Sequence, residues 1–166
     1  VRRTVFLLVI VTALAVVTPA AGLRQGAKTL RVAVGERHVM ASPGSSCRRV
    51  AQEDGTERAE CSEVAYPLAT KGRLSLRGGA RVRMRFATTP SQVKWRLLDS
   101  ATAEPGTLLS GQAHRRPESK RRFVFHLPGR LPCAAVLNVF VLYRDGPAES
   151  DVDFWAATRT PGCTKR

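Results

Sequence analysis

From Arg81 to Leu97 the chain alternates strictly with a period of two. Val82, Met84 and Phe86 are separated by Arg81, Arg83 and Arg85, and after Thr88-Thr89-Pro90-Ser91 the residues Val93, Trp95 and Leu97 alternate with Lys94 and Arg96. Successive side chains of a β-strand point to opposite faces, so each run is a strand with one apolar and one basic side. A helix would scatter the same apolar residues around its circumference, and no window of the chain shows a helical period. The feature therefore restricts the fold to a β architecture with a buried face and a wet face.

The rest of the chain extends the pattern. Leu30, Val32 and Val34 alternate with Arg31, and Leu74 and Leu76 form a short strand before the Gly78-Gly79 turn. Leu108 to Ala113 is a weaker strand, and Phe123, Phe125 and Leu127 form another, ended by Pro128-Gly129. Ala134 to Tyr143 is apolar on both faces except for Asn138, as expected of a strand under cover on both sides. Asp151 to Thr158 places Val152, Phe154 and Ala156 on one face. Two segments read as loops: Gly35 to Ser62, long and polar, and His114 to Lys120, charged and interrupted by Pro117. Short strands at this spacing predict an all-β, antiparallel two-sheet sandwich of about seven to nine strands.

A different segment precedes this domain. Arg2 and Arg3 are followed by an apolar run from Val5 to Val17, then by Thr18, Ala20, Ala21 and Gly22. A positive start, a short apolar core and small residues at its end predict a secretory signal peptide over residues 1–22. The core is shorter than the ~20 residues that span a bilayer, although extension through Gly22 leaves an uncleaved anchor as the alternative. Val1 fits an alternative start codon and hence a bacterial gene. Residues 23–166 then form a single domain, located outside the cytoplasm, in the envelope or secreted.

The strand order resembles the bacterial immunoglobulin-like β-sandwich domains of secreted proteins. The likeness runs from Thr29 to Arg159. It is carried by Gly79-x-x-Val82-x-Met84-x-Phe86 followed by Val93-x-Trp95, Trp95 falling where many such domains place a core tryptophan. Two departures are visible: no disulfide joins the expected central strands, and no tyrosine lies two residues before a cysteine there. The resemblance implies an immunoglobulin-like sandwich and a generic role in adhesion or binding, since fold alone does not define function.

All four cysteines, Cys47, Cys61, Cys133 and Cys163, follow the signal segment, and an even count in an exported chain predicts two disulfides. If Ala134–Tyr143 and Asp151–Thr158 form a hairpin centred near Pro147, Cys133 and Cys163 meet at its open end, leaving Cys47 to pair with Cys61. No C-x-x-C occurs and the histidines are scattered, so the spacing is not that of a zinc site.

Function is less legible. No nucleophile motif accompanies His38, His114 or His126, oxidised cysteines supply no thiolate, and no cofactor fingerprint is present, so the chain reads as non-catalytic. The 27 Lys and Arg, two of them in the signal segment, leave 25 against 13 acidic residues, a formal +12. Such a charge favours anionic partners: an envelope polymer or an acidic protein, with a lipid surface reached only by electrostatic attraction or an uncleaved anchor. Arg far outnumbers Lys, which codon bias in a GC-rich genome also explains. Nucleic acid is disfavoured, because Trp95 and Phe86 point away from the arginines and provide no stacking platform among them.

Arg81, Arg83, Arg85, Lys94 and Arg96 are the candidate ligand surface. If their strands pair across Thr88–Ser91, Arg85 faces Lys94 and Arg83 faces Arg96, an arrangement of like charges that an anionic ligand would relieve. In an immunoglobulin-like topology the two strands belong to different sheets and the charges face apart. A second candidate is the segment bridged by Cys47 and Cys61, held as the recognition loop of a hydrolase inhibitor or simply braced. Asp145, Glu149, Asp151 and Asp153 cluster without the spacing of an EF-hand, and read as a solvated turn pairing with arginines.

Overall fold

The computed structural model describes residues 28–64, 72–100, 106–133, 135–146 and 148–161. The expected signal segment 1–22 and Cys163 lie outside the described residues. Among those described there is no helix, and hence none long and apolar enough to cross a membrane.

Eleven strands are formed: β1 (Leu30–Val34), β2 (Arg37–Ala51), β3 (Glu57–Ser62), β4 (Arg73–Ser75), β5 (Arg81–Phe86), β6 (Gln92–Asp99), β7 (Thr107–Gln112), β8 (His114–Arg116), β9 (Ser119–His126), β10 (Ala135–Asp145) and β11 (Ala148–Arg159). They form one curled sheet in the order β7-β6-β10-β11-β2-β1-β5-β9-β8, with β3 added to β2 and β4 to β11. Every pairing is antiparallel except β4 with β11. The front layer is β1, β5, β9 and β8; the back layer is β7, β6, β10 and β11. The two strands at the ends of the path, β7 and β8, are consecutive in the chain, joined through Ala113, whose N–H donates to the Val93 carbonyl at 3.0 Å. The sheet is thus nearly closed into a barrel, which leaves little free edge.

Strand β2 carries the chain from front to back. Its first part, Arg37–Ala41, pairs with β1, and Ser42–Val50 pairs with β11. Between these partners the register slips: three steps from Ser46 to Pro43 face two from Val152 to Phe154, a bulge at Pro43-Gly44-Ser45. Proline and glycine there are suited to a bend, where a ladder donor is dispensable. The long loop expected over Gly35–Ser62 is therefore two strands, β2 and β3, around a turn at Gln52–Thr56. The loop expected at His114–Lys120 is also a hairpin, with Arg116 paired to Ser119 around Pro117-Glu118.

The period-2 residues meet between the layers. Leu30, Val32, Val82, Met84 and Phe86 of the front are at most 2% exposed, as are Val93, Leu97, Leu137, Val139, Val141 and Phe154 of the back. Trp95 stacks on Phe125 across the interior, with ring centroids 4.5 Å apart and planes 11° from parallel. A Cβ on Gly111 would lie 2.9 Å from three atoms of the Trp95 ring, so only glycine lets β7 cross that indole. Gly78 is held as closely: its Cβ would overlap the Gly129 carbonyl, which fixes the turn before β5 against the loop after β9.

The β10–β11 hairpin forms as expected, with Val136 opposite Ala157, Tyr143 opposite Ser150 and Asp145 opposite Ala148 at its closed end; Pro147 lies outside the described residues. Cys47 is bonded to Cys61 and the two face each other across β2 and β3. Cys133 is also disulfide-bonded.

Candidate anion-binding face

Of the two arrangements open to β5 and β6, a hairpin or strands of different layers, the structure has the second. β5 lies between β1 and β9 in the front layer, whereas β6 lies between β10 and β7 in the back layer. Arg85 is thus not opposite Lys94, nor Arg83 opposite Arg96. The link Ala87–Ser91, exposed apart from Pro90, carries the chain from one layer to the other instead of reversing the strand.

In the back layer Arg96 is neutralised. Arg96 donates from Nε to Asn138 Oδ1 at 3.0 Å and lies 3.5 Å from Asp153 Oδ1, which also accepts from Asn138 Nδ2 at 3.0 Å. Asn138 is the one polar side chain among the fully buried described residues, and this network satisfies it. Arg96 is a structural cation. Lys94 borders a shallow depression beside Phe140, Ser110 and Gln112.

The front layer assembles a different set. Arg85 is opposite Arg31 on one side and Arg122 on the other, so three arginines form one row across β1, β5 and β9. In the next row on the same face Arg83 stands between Ala33 and Val124, and further along Arg81 faces His126. Sequence reading found the arginines of β5 but missed Arg31 and Arg122, because their neighbourhood depends on which strands flank β5. Alternation alone places each on an outward face.

Arg31, Arg83, Arg85 and Arg122 surround a depression of about 320 Å³ that also includes Arg116, Glu36 and His38, with Arg81 outside it. Arg116 is paired with Glu118. Arg83 donates to the carbonyl of Gly35 in the β1–β2 turn. Among the described residues, no carboxylate forms an ion pair with Arg31, Arg81, Arg85 or Arg122. Opposed like charges in a sheet cost roughly 0.2–1 kcal/mol per pair, so the row is a strained arrangement that a bound anion would relax.

Apart from Glu36 in this depression and Glu118, whose carboxylate is also drawn by Arg122, many of the acidic residues lie elsewhere. Glu53, Asp54, Glu57, Glu60 and Glu63 are all exposed on or beside the β2–β3 hairpin. Asp54 accepts from the Thr56 hydroxyl and amide, which lowers its pKa. Of the acidic cluster at the last hairpin, Glu149 pairs with Arg144 and Arg49, and Asp151 with Arg49, the arginine pairing expected there. Asp151 also accepts the Cys47 amide at 3.2 Å, tying β11 to the disulfide.

Lys28 packs beside this region, its ammonium 4.6 Å from the centroid of the Tyr143 ring and 2.6 Å from Ser150 Oγ. Burial lowers its pKa, partly offset by Asp151. Burial likewise raises the pKa of Tyr143, whose hydroxyl has no hydrogen-bond partner among the described residues.

No family model, curated protein or solved structure matches this chain.

Proposed function

We propose that this chain is a non-catalytic, exported binding module that holds an anionic polymer of the cell envelope on the outer face of its front layer. The observation that carries the reading is the Arg31–Arg85–Arg122 row: three guanidinium groups on neighbouring strands, none ion-paired to a described carboxylate. Guanidinium forks bind phosphate and carboxylate oxygens through paired N–H donors, and a rigid sheet presents them at fixed spacing. Codon bias accounts for the number of arginines but not for the placing of three of them side by side across β1, β5 and β9.

Several features support the wider setting. A Cys47–Cys61 disulfide and a further bonded cysteine fit an oxidising compartment, in keeping with a signal peptide at residues 1–22. The order β1-β5-β9-β8 against β11-β10-β6-β7 follows the Greek-key order of an immunoglobulin-like sandwich, with β2 and β3 inserted after the first strand. The alternative of a hydrolase inhibitor has less support. Between Cys47 and Cys61 the chain is regular paired strand apart from Gln52–Thr56, which leaves a short turn rather than an extended bait loop.

The test is binding of the domain to purified anionic envelope polymer at low salt and in 1 M salt, beside Arg85→Glu. Exposed-charge binding weakens as the screening length falls from ~8 Å at 0.15 M to ~3 Å at 1 M. Retention at 1 M salt, or binding by Arg85→Glu equal to that of the parent, would sink the proposal.

A further inference from the structure

The geometry points to an extended polyanion as the ligand, one long enough to leave the front face, pass over the β1–β2 turn and engage a second arginine cluster at the end of the barrel. This deepens the proposed function and rests on it.

The second cluster is a depression of about 720 Å³ lined by Arg37, Arg77 and Arg159, with Ser75 and Ala80 between them. Its three arginines come from β2, the turn after β4 and the end of β11, so nothing in the local sequence of any one of them announces the cluster. All three are exposed, and among the described residues no carboxylate forms an ion pair with them. Gly35 and Glu36 form the tip of the β1–β2 hairpin, and Glu36 lines both depressions. The two cationic surfaces are therefore contiguous, meeting at this turn. Gly35 supplies the positive φ of 57° the tight turn requires, and the Arg83 guanidinium holds the turn's carbonyl from the front side.

Length sets the class of ligand. The Arg31–Arg85–Arg122 row crosses three strands at ~4.8 Å spacing and so spans roughly 10 Å, and four residues of β1 from Arg31 to Gly35 add about 13 Å. A compact anion fills one row. A ligand reaching from the row to the second cluster must exceed about 13 Å and carry charge along its length. Glu36 sits at the saddle as a resident anion, so it opposes a ligand that crosses more strongly than one confined to the Arg31–Arg85–Arg122 row.

Inorganic tripolyphosphate and long-chain linear polyphosphate separate the two cases. The variants are a pole triple (Arg37→Gln, Arg77→Gln, Arg159→Gln), a face triple (Arg31→Gln, Arg85→Gln, Arg122→Gln) and Glu36→Gln, each checked for an unchanged circular dichroism spectrum. With about 0.7 per contacted charge, the figure for single-stranded nucleic acid, the pole triple is expected to reduce the slope of log affinity against log salt for the long chain by about 2. It should leave tripolyphosphate binding unchanged, whereas the face triple should weaken both probes. Glu36→Gln should tighten long-chain binding by about fivefold, the size of one added basic residue at an anionic surface. If the pole triple leaves the long-chain slope unaltered, the track is wrong while the front-face site stands. If the face triple binds both probes as the parent does, the proposed function itself fails.

Discussion

Substituting Arg85 by glutamine should stabilise the fold and weaken its binding at the same time. Arg85 is the middle of the three-arginine row, opposed by Arg31 and by Arg122. Relief of two like-charge contacts at roughly 0.2–1 kcal/mol each gives an expected gain of about 0.4–2 kcal/mol. Glutamine keeps much of the aliphatic stem, so the apolar surface that the arginine covers remains covered. A gain of 1 kcal/mol corresponds to a rise of about 2–4 °C in Tm for a chain of this size. Urea unfolding at low salt and in 1 M salt measures it. The gain should be present at low salt and largely absent at 1 M, where the screening length falls to ~3 Å. Arg96→Gln is the control of opposite sign. It removes the Asp153 ion pair and leaves the buried Asn138 carbonyl without its donor, a loss of about 1–3 kcal/mol. An Arg85→Gln protein no more stable than the parent at low salt, or one whose advantage survives in 1 M salt, would refute the reasoning from opposed charges.

Gly111→Ala should cost about 1–3 kcal/mol in urea unfolding, because the new Cβ meets the Trp95 ring at 2.9 Å and displaces its stack on Phe125. Unchanged tryptophan fluorescence together with unchanged stability would contradict that contact. Replacing Cys47 and Cys61 by serine opens a bridge spanning 14 residues and should cost about 3 kcal/mol by the chain-entropy model. Hydrogen exchange should then show lost protection concentrated in β3, with β1 and β5 spared; uniform loss would argue against a locally braced hairpin. Tyr143 gives the alkaline limit. Its folded-state pKa is raised by burial, so its neutral form contributes stability that is full below its ordinary value near 10 and is lost as pH rises further. Lys28, whose pKa is lowered, acts in the opposite sense below its own ordinary value, and comparing the parent with Tyr143→Phe isolates the phenol. The variant should be at least as stable at pH 7, since it removes a buried hydroxyl without a partner among the described residues, and should resist alkali better; an identical alkaline transition would be evidence against it.

The sequence by itself determined the β class, the faces of the strands and the last hairpin. In β5 and β6 the apolar residue at every second position leaves no choice of face, because a one-residue slip would bury the arginines. The same local logic placed the β10–β11 hairpin, closed where Asp145 faces Ala148, and brought Cys47 to Cys61. Tertiary structure alone decided which strands lie side by side. Local alternation allows β5 and β6 either to share a sheet or to lie in different layers, and the structure puts β5 between β1 and β9 and β6 between β10 and β7. That choice excluded the conditional pairing of Arg85 with Lys94 and built the row with Arg31 and Arg122. β2 was hidden for a related reason. A strand that changes layer at a Pro43-Gly44 bulge is half-exposed along most of its length, so it has no alternating pattern to read. The arginines are written in the sequence, but their neighbours are set by long-range pairing, which depends on burial of the whole sheet rather than on any local run of residues.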